Sequence, residues 1–224
     1  MKFGFCDRAS AGRRLAEKLG AYARRPDTIV LGLARGGVPV ACEVALHLHL
    51  PLDVFIVRKL GVPGYRELAM GAIASGGVRV VNETVLQALE PHAEGILEAV
   101  TARESAELVR REKACRGGHP PLEVRGRTVI LVDDGLATGA SMRAGVAALR
   151  QKGAGKIVVA VPVGSRESCQ AFEEEVDELI CALAPESFQA VGQYYENFSQ
   201  TTDEEVRELL AAATATDAGD CAPQ

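Results

Sequence analysis

Val129-Ile130-Leu131-Val132-Asp133-Asp134-Gly135-Leu136-Ala137-Thr138-Gly139-Ala140-Ser141 is the stretch whose reading decides the fold. Four consecutive apolar residues, Val129 to Val132, have the composition of a strand buried on both faces. Two adjacent carboxylates, Asp133 and Asp134, stand at its C-terminal end. A turn of small and hydroxyl residues follows, and then an amphipathic helix over 142–151. In open α/β sheets, ligands bind beyond the carboxyl ends of the strands. A small-residue turn entering a helix offers backbone N–H groups without intrahelical acceptors and the positive end of the helix dipole, a setting suited to phosphate. A plain strand–turn–helix without a ligand accounts for all of this except the acid pair. Adjacent carboxylates repel one another unless cations or hydroxyl donors stand beside them. A ribose diol and a magnesium ion are partners of that kind.

Outward from this stretch, helical and extended segments alternate. Alternation implies an α/β fold: an open, mainly parallel sheet with helices on both faces. Before it, a helix is expected over 9–25, a buried strand over 28–33, a helix over 38–48 entered through Gly36-Gly37, and a strand over 52–57. Residues 59–70 are rich in Gly, Pro and charge, and predict a long mobile loop. A hairpin is expected over 71–75 and 78–81 around Gly76-Gly77. Asn82 is placed to cap a helix running to 89, and Pro91 opens a longer charged helix to about 116. After it come strands over 156–163 and 178–183, with Ser165 capping the helix between them. Residues 185–201 are irregular and polar-aromatic, Thr202 begins a final helix, and the tail from Thr214 carries no pattern and is expected to be disordered. The organisation expected is a core over 1–184, a segment and helix over 185–213, and a tail over 214–224.

Composition excludes several classes. The 224 residues are 47% hydrophobic, enough for a buried core, and carry a net charge of −5, against a general nucleic-acid surface. The six cysteines (Cys6, Cys42, Cys115, Cys169, Cys181 and Cys221) are scattered with no C-x-x-C pair. That argues against a structural zinc site and a disulfide framework, and for reduced thiols in a cytoplasmic protein. No signal peptide or membrane-spanning run is expected. His47, His49, His92 and His119 fit surface or packing positions. The chain has no Walker A sequence and no Rossmann glycine spacing.

A second strand–turn–helix, Leu31-Gly32-Leu33-Ala34-Arg35-Gly36-Gly37, repeats the logic of the first. Its glycines let the backbone approach an anion, and Arg35 adds a fixed charge. By itself a Gly-Gly helix entry is a plain turn. Paired with the first loop, it makes two anion sites at the ends of two strands, which fit one ligand phosphorylated at both ends. Tyr194, Tyr195, Asn197 and Phe198 gather aromatic rings and an amide in a chain that is only 4% aromatic. Such a cluster suits a planar base, or packing of the C-terminal segment on the core.

The first stretch resembles the ribose-phosphate signature of type I phosphoribosyltransferases: four apolar residues, two acids, a short spacer, then Thr-Gly-x-Ser/Thr. Gly135 departs from the apolar residue usual after the acids. The resemblance runs from about Phe3 to about Leu210 and is to a bacterial subgroup with no assigned acceptor. Its further landmarks are Leu33-Ala34-Arg35-Gly36-Gly37-Val38-Pro39, Val57-Arg58-Lys59-Leu60-Gly61, Glu67-Leu68-Ala69-Met70-Gly71-Ala72-Ile73 and Tyr195-Glu196-Asn197-Phe198-Ser199-Gln200-Thr201.

The resemblance implies a type I phosphoribosyltransferase-like sheet with a small C-terminal hood. It implies displacement of pyrophosphate from phosphoribosyl pyrophosphate (PRPP) by a nitrogen acceptor, a nucleobase or related heterocycle. Ala137, Thr138, Gly139, Ala140 and Ser141 would hold the 5′-phosphate, and Asp133 and Asp134 the ribose hydroxyls, directly or through metal-bound water. Arg35, Gly36 and Gly37 would hold the pyrophosphate. Arg58 and Lys59 would neutralise charge on the departing group, and the following loop, with Arg66 and Glu67, would close as a lid. Tyr195, Asn197 and Phe198 would belong to the acceptor hood. Magnesium would be held mainly through the pyrophosphate, without a dedicated protein cage, and a homodimer is the expected assembly. Transferases for 6-oxopurines carry an aspartate at position 137, where this chain has alanine, so hypoxanthine and guanine are expected to be poor acceptors. Two other readings are a non-catalytic regulator that binds PRPP or a nucleotide, and a phosphoacceptor receiver domain. The receiver places its acid pair near the start of a domain, unlike this chain.

Overall fold

A computed structural model describes residues 4–219. Five parallel strands, β1 (Thr28–Leu33), β2 (Leu52–Phe55), β6 (Thr128–Val132), β7 (Lys156–Val163) and β8 (Glu178–Leu183), form a sheet in the order β2-β1-β6-β7-β8. The strand opening the decisive stretch is therefore central. All five β6 residues are buried, and their alternation divides the core. Val129 and Leu131 pack with Met142, Val146 and Leu149 of α5 (Ala140–Gln151) and Phe172 of α6 (Arg166–Glu175). Ile130 and Val132 pack on the opposite face with Leu15 of α1 (Arg8–Lys18) and with Val40 and Val44 of α2 (Gly37–Leu48). Each such side chain contributes about 1.5–3 kcal/mol by leaving water, and both faces of the sheet must be covered to collect it.

Beyond β2 the chain passes through buried Ile56 into a second sheet. β3 (Val57–Val62), β4 (Tyr65–Ala74) and β5 (Val78–Val81) are antiparallel, in the order β3-β4-β5. This corrects the expected mobile loop over 59–70, which is most of a hairpin. Pro63 and Gly64 (φ +83°) make its turn. Leu60, Val62 and Met70 are buried against Leu97, Val100 and Leu108 of α4 (Ala93–Arg116). The period-2 signal was hidden by the turn residues and by register shifts on either side of Gly61. The side chains of Arg66 and Glu67 lie outside the described ones. The hairpin expected over 71–75 and 78–81 is present, its first strand extended back to Tyr65.

Other boundaries shift for local reasons. α1 stops at Lys18, and a short 3-10 turn, Gly20–Tyr22, replaces the rest of the helix expected to 25. Asn82 caps α3 (Glu83–Ala88) by accepting from the Val85 N–H at 3.3 Å, and Ser165 caps α6. The last helix, α7 (Asp203–Gly219), opens on a reciprocal pair: Thr202 N–H donates to Glu205 at 2.7 Å, and Glu205 N–H to Thr202 at 3.1 Å. α7 continues through 214–219, where a patternless tail was expected; the run Ala211 to Ala213 leads the helix into it, and alanine is the best helix former. Residues 220–224 lie outside the described ones. Between β8 and α7 the chain is irregular apart from a 3-10 turn, Val191–Tyr194. No described helix is long and apolar enough to cross a membrane.

Candidate active site

The acid pair lies where β6 leaves the sheet. Asp134 N–H donates to Asp133 Oδ1 at 2.8 Å. Burial pushes the Asp133 carboxyl well above the usual carboxylate range, and the Asp134 charge pushes the same way. Burial also raises Asp134, against the pull of Arg8. Arg8, at the start of α1, donates from Nε at 2.9 Å and approaches with Nη2 at 2.8 Å, both to Asp134 Oδ2. Its Nη1 donates to the Ser199 carbonyl at 2.7 Å, and its guanidinium lies 4.0 Å from the centre of the Phe198 ring. Tyr195 Oη donates to the Asp134 carbonyl at 2.6 Å. Two half-buried carboxylates side by side, with the Arg8 guanidinium on Asp134 Oδ2, form a site whose charge is incompletely compensated. That donor set fits a divalent ion with its water, or a diol.

The second loop meets the first here. β1 and β6 are neighbours, with Gly32 opposite Val132. A Cβ on Gly36 would overlap Asp134 Oδ2, and one on Gly37 would sit 2.5 Å from the Val132 carbonyl and 2.8 Å from Asp133 Cα. Only glycine lets the loop after β1 rest on the acid pair. The Ala34–Arg35 peptide is cis. Arg35 Nη1 lies 3.6 Å from Asp203 Oδ1 at the start of α7, and Arg110 Nη2 3.9 Å from Asp203 Oδ2.

In the first loop Ala137, Thr138, Ala140 and Ser141 are exposed and Gly139 is half-buried. Gly139 (φ +72°) is the N-cap of α5, and a Cβ there would overlap the buried Phe172 ring. α5 begins at Ala140, two residues before the expected start, so Ala140 and Ser141 belong to its first turn, where N–H groups lack intrahelical acceptors.

The remaining expected site residues divide. Lys59 faces a cleft of about 560 Å³ whose wall includes Ala140, Ser141 and Arg143. Arg58, one residue earlier, turns to the other side of the strand, where Nε donates to Glu104 of α4 at 2.9 Å. Tyr195 is buried (2% exposed) and committed to Asp134, with Phe5 and Phe198 beside its ring at 5.4 and 5.0 Å. It braces the strand end rather than presenting a face to a base. Asn197 Oδ1 accepts from Ser199 N–H at 3.1 Å, and Asn197 and Arg8 line a second cleft of about 460 Å³. Arg8 was missed: it is one of several arginines in the first helix, and its partner is 126 positions away.

Comparison with known proteins gives the family. The phosphoribosyl transferase domain family matches residues 7–197. The crystal structure of TT1426 from Thermus thermophilus is 41% identical, with a TM-score of 0.79, covering 95% of this chain and 99% of that one. Two Mycobacterium tuberculosis proteins, provisionally named phosphoribosyl transferases, are 46% identical over 209 residues, 93% of this chain. The chain spans about half the length (47%) of these curated relatives. With residues 7–197 inside the family match, the chain belongs to the phosphoribosyl transferase domain family.

Proposed function

We propose that the protein transfers the phosphoribosyl group of magnesium–PRPP to a nitrogen acceptor and releases pyrophosphate. The observation that carries this is the contact of the Gly36-Gly37 loop with Asp133 and Asp134: a loop suited to an anion lies against two carboxylates suited to a diol. The N–H groups and hydroxyls of Thr138 to Ser141 bind the 5′-phosphate, Asp133 and Asp134 take the ribose hydroxyls, and Arg35 with Gly36 and Gly37 takes the pyrophosphate. As the C1–oxygen bond breaks, its electron pair leaves with pyrophosphate; the acceptor nitrogen forms the new bond to C1 and its proton passes to pyrophosphate or water. The chain supplies no covalent nucleophile. It fixes the sugar, stabilises the leaving charge through Arg35 and Lys59, and keeps water from an oxocarbenium-like centre. Magnesium, when bound, neutralises pyrophosphate charge. Asp133 and Asp134 are the carboxylates we assign to its water shell.

The acceptor class is a nucleobase or related heterocycle. Ala137 disfavours 6-oxopurines, so hypoxanthine and guanine are turned over poorly. Arg8 already occupies Asp134, which favours a second reading, a PRPP- or nucleotide-binding regulator. Mixing the protein with magnesium–PRPP and a panel of bases separates the two: pyrophosphate release dependent on one base supports transfer, and binding without release supports the regulator.

A further inference from the structure

We propose that Ser168 and Arg143 aim the 5′-phosphate loop by tethering two of its carbonyl oxygens, and are positioning residues for phosphate recognition. Ser168 Oγ, in α6, donates to the Ala137 carbonyl. Arg143 Nη1, in α5, donates to the Thr138 carbonyl at 2.7 Å. Neither donor floats. Ser168 N–H donates to the capping Ser165 Oγ at 3.0 Å. Arg143 Nε lies 2.9 Å from both Glu175 oxygens, and its guanidinium lies 4.7 Å from the centre of the Phe172 ring.

The consequence follows from peptide geometry. In a trans peptide the C=O and the next N–H lie in one plane and point in opposite directions. The peptides after Ala137 and Thr138 are trans. With their carbonyls held by Ser168 and Arg143, the N–H groups of Thr138 and Gly139 point the opposite way. They add to the N–H groups of Ala140 and Ser141 at the start of α5. Untethered, either peptide is free to rotate and present a carbonyl, which repels an anion. Ser168, and Arg143 at the wall of the cleft beside Ser141, thus decide which face of the loop is electropositive.

This inference rests on the phosphoribosyl reading of the loop, and its test uses two ligands that separate the claims. Ribose 5-phosphate carries the 5′-phosphate without pyrophosphate; magnesium pyrophosphate is the converse. Calorimetric titration of the full chain should show Ser168→Ala and Arg143→Met each weakening ribose 5-phosphate by about tenfold, the loss of one hydrogen bond of about 1.4 kcal/mol. Magnesium pyrophosphate affinity should be unchanged, and Ser168→Thr, which keeps the hydroxyl, should restore binding. Unaltered ribose 5-phosphate affinity in both variants overturns the proposal and leaves the function standing. Equal weakening of both ligands also overturns it, as general damage to the fold. No ribose 5-phosphate binding by the unaltered protein overturns the functional reading and this proposal together.

Discussion

Glycine and aspartate carry the account at the scale of single residues. Gly135, the departure from the family signature, is explained by packing: a Cβ there would lie 2.5 Å from Val191 Cγ1, in the 3-10 turn laid over the end of β6. Gly139 combines a left-handed backbone with contact to Phe172. Gly139→Ala should cost about 1–2 kcal/mol for the backbone, with the ring clash adding to it, and should lower the urea midpoint together with affinity for ribose 5-phosphate. Asp133 makes a pH prediction. Its native pKa is raised above the ordinary 3.8, mainly by burial. The native state therefore holds a proton that the unfolded chain has released, and stability falls as pH rises from about 4 through the native pKa. A neutral amide in place of this carboxyl carries no such cost. Thermal melts of Asp133→Asn should show it more stable than the parent at pH 8, with the gap closing towards pH 4; a gap constant across that range contradicts the assignment.

At the scale of elements, strand alternation sorts residues that adjacency in sequence had joined. Arg58 and Lys59 lie on opposite faces of β3, one against Glu104 and the other in the cleft beside Ser141. Arg58→Ala should destabilise the fold by roughly 1–3 kcal/mol, because Glu104, only 8% exposed, loses a partner; the exposed Arg103, 3.0 Å from Glu104, limits the loss. Lys59→Ala, at an exposed position, should destabilise the fold less than Arg58→Ala and lower kcat for the transfer. Denaturation and turnover measured on both variants check the division; a kcat lowered equally by both would contradict it. The same feature marks where sequence reading succeeds. Central strands such as β6 and β7 announce themselves through unbroken apolar runs, and capped helices through Asn82 and Ser165. The β3–β4 hairpin does not, since Gly61, Pro63, Gly64 and the charges around them carry the composition of a loop, while Leu60 and Met70 show their burial only once α4 is folded against them.

At the scale of the whole molecule, the two ends of the chain converge on the acid pair. Arg8 near one end, and Tyr195, Phe198 and Ser199 near the other, close over Asp134. Phe5 also pairs with Tyr195 in a short parallel bridge. Arg8→Gln should loosen residues 198 and 199, seen as faster amide exchange there and unchanged exchange in β6 and β7. This closure was not legible in the sequence: the Asp-Asp and Gly-Gly signals are local, whereas an arginine paired across 126 positions leaves no spacing to detect. Both loops were legible because each rests on a strand, a turn and a helix in succession; the roles of Tyr195 and Arg58 were not, because they depend on which way a side chain turns. The central claim is that the two loops grip opposite ends of one doubly phosphorylated sugar while Asp133 and Asp134 hold its diol. Calorimetric titration of the Asp133→Asn, Asp134→Asn double variant with magnesium–PRPP tests it most directly. The account predicts affinity reduced about a hundredfold or more, two charge-assisted contacts of roughly 1.5–3 kcal/mol each having been lost; affinity equal to that of the unaltered protein would contradict it.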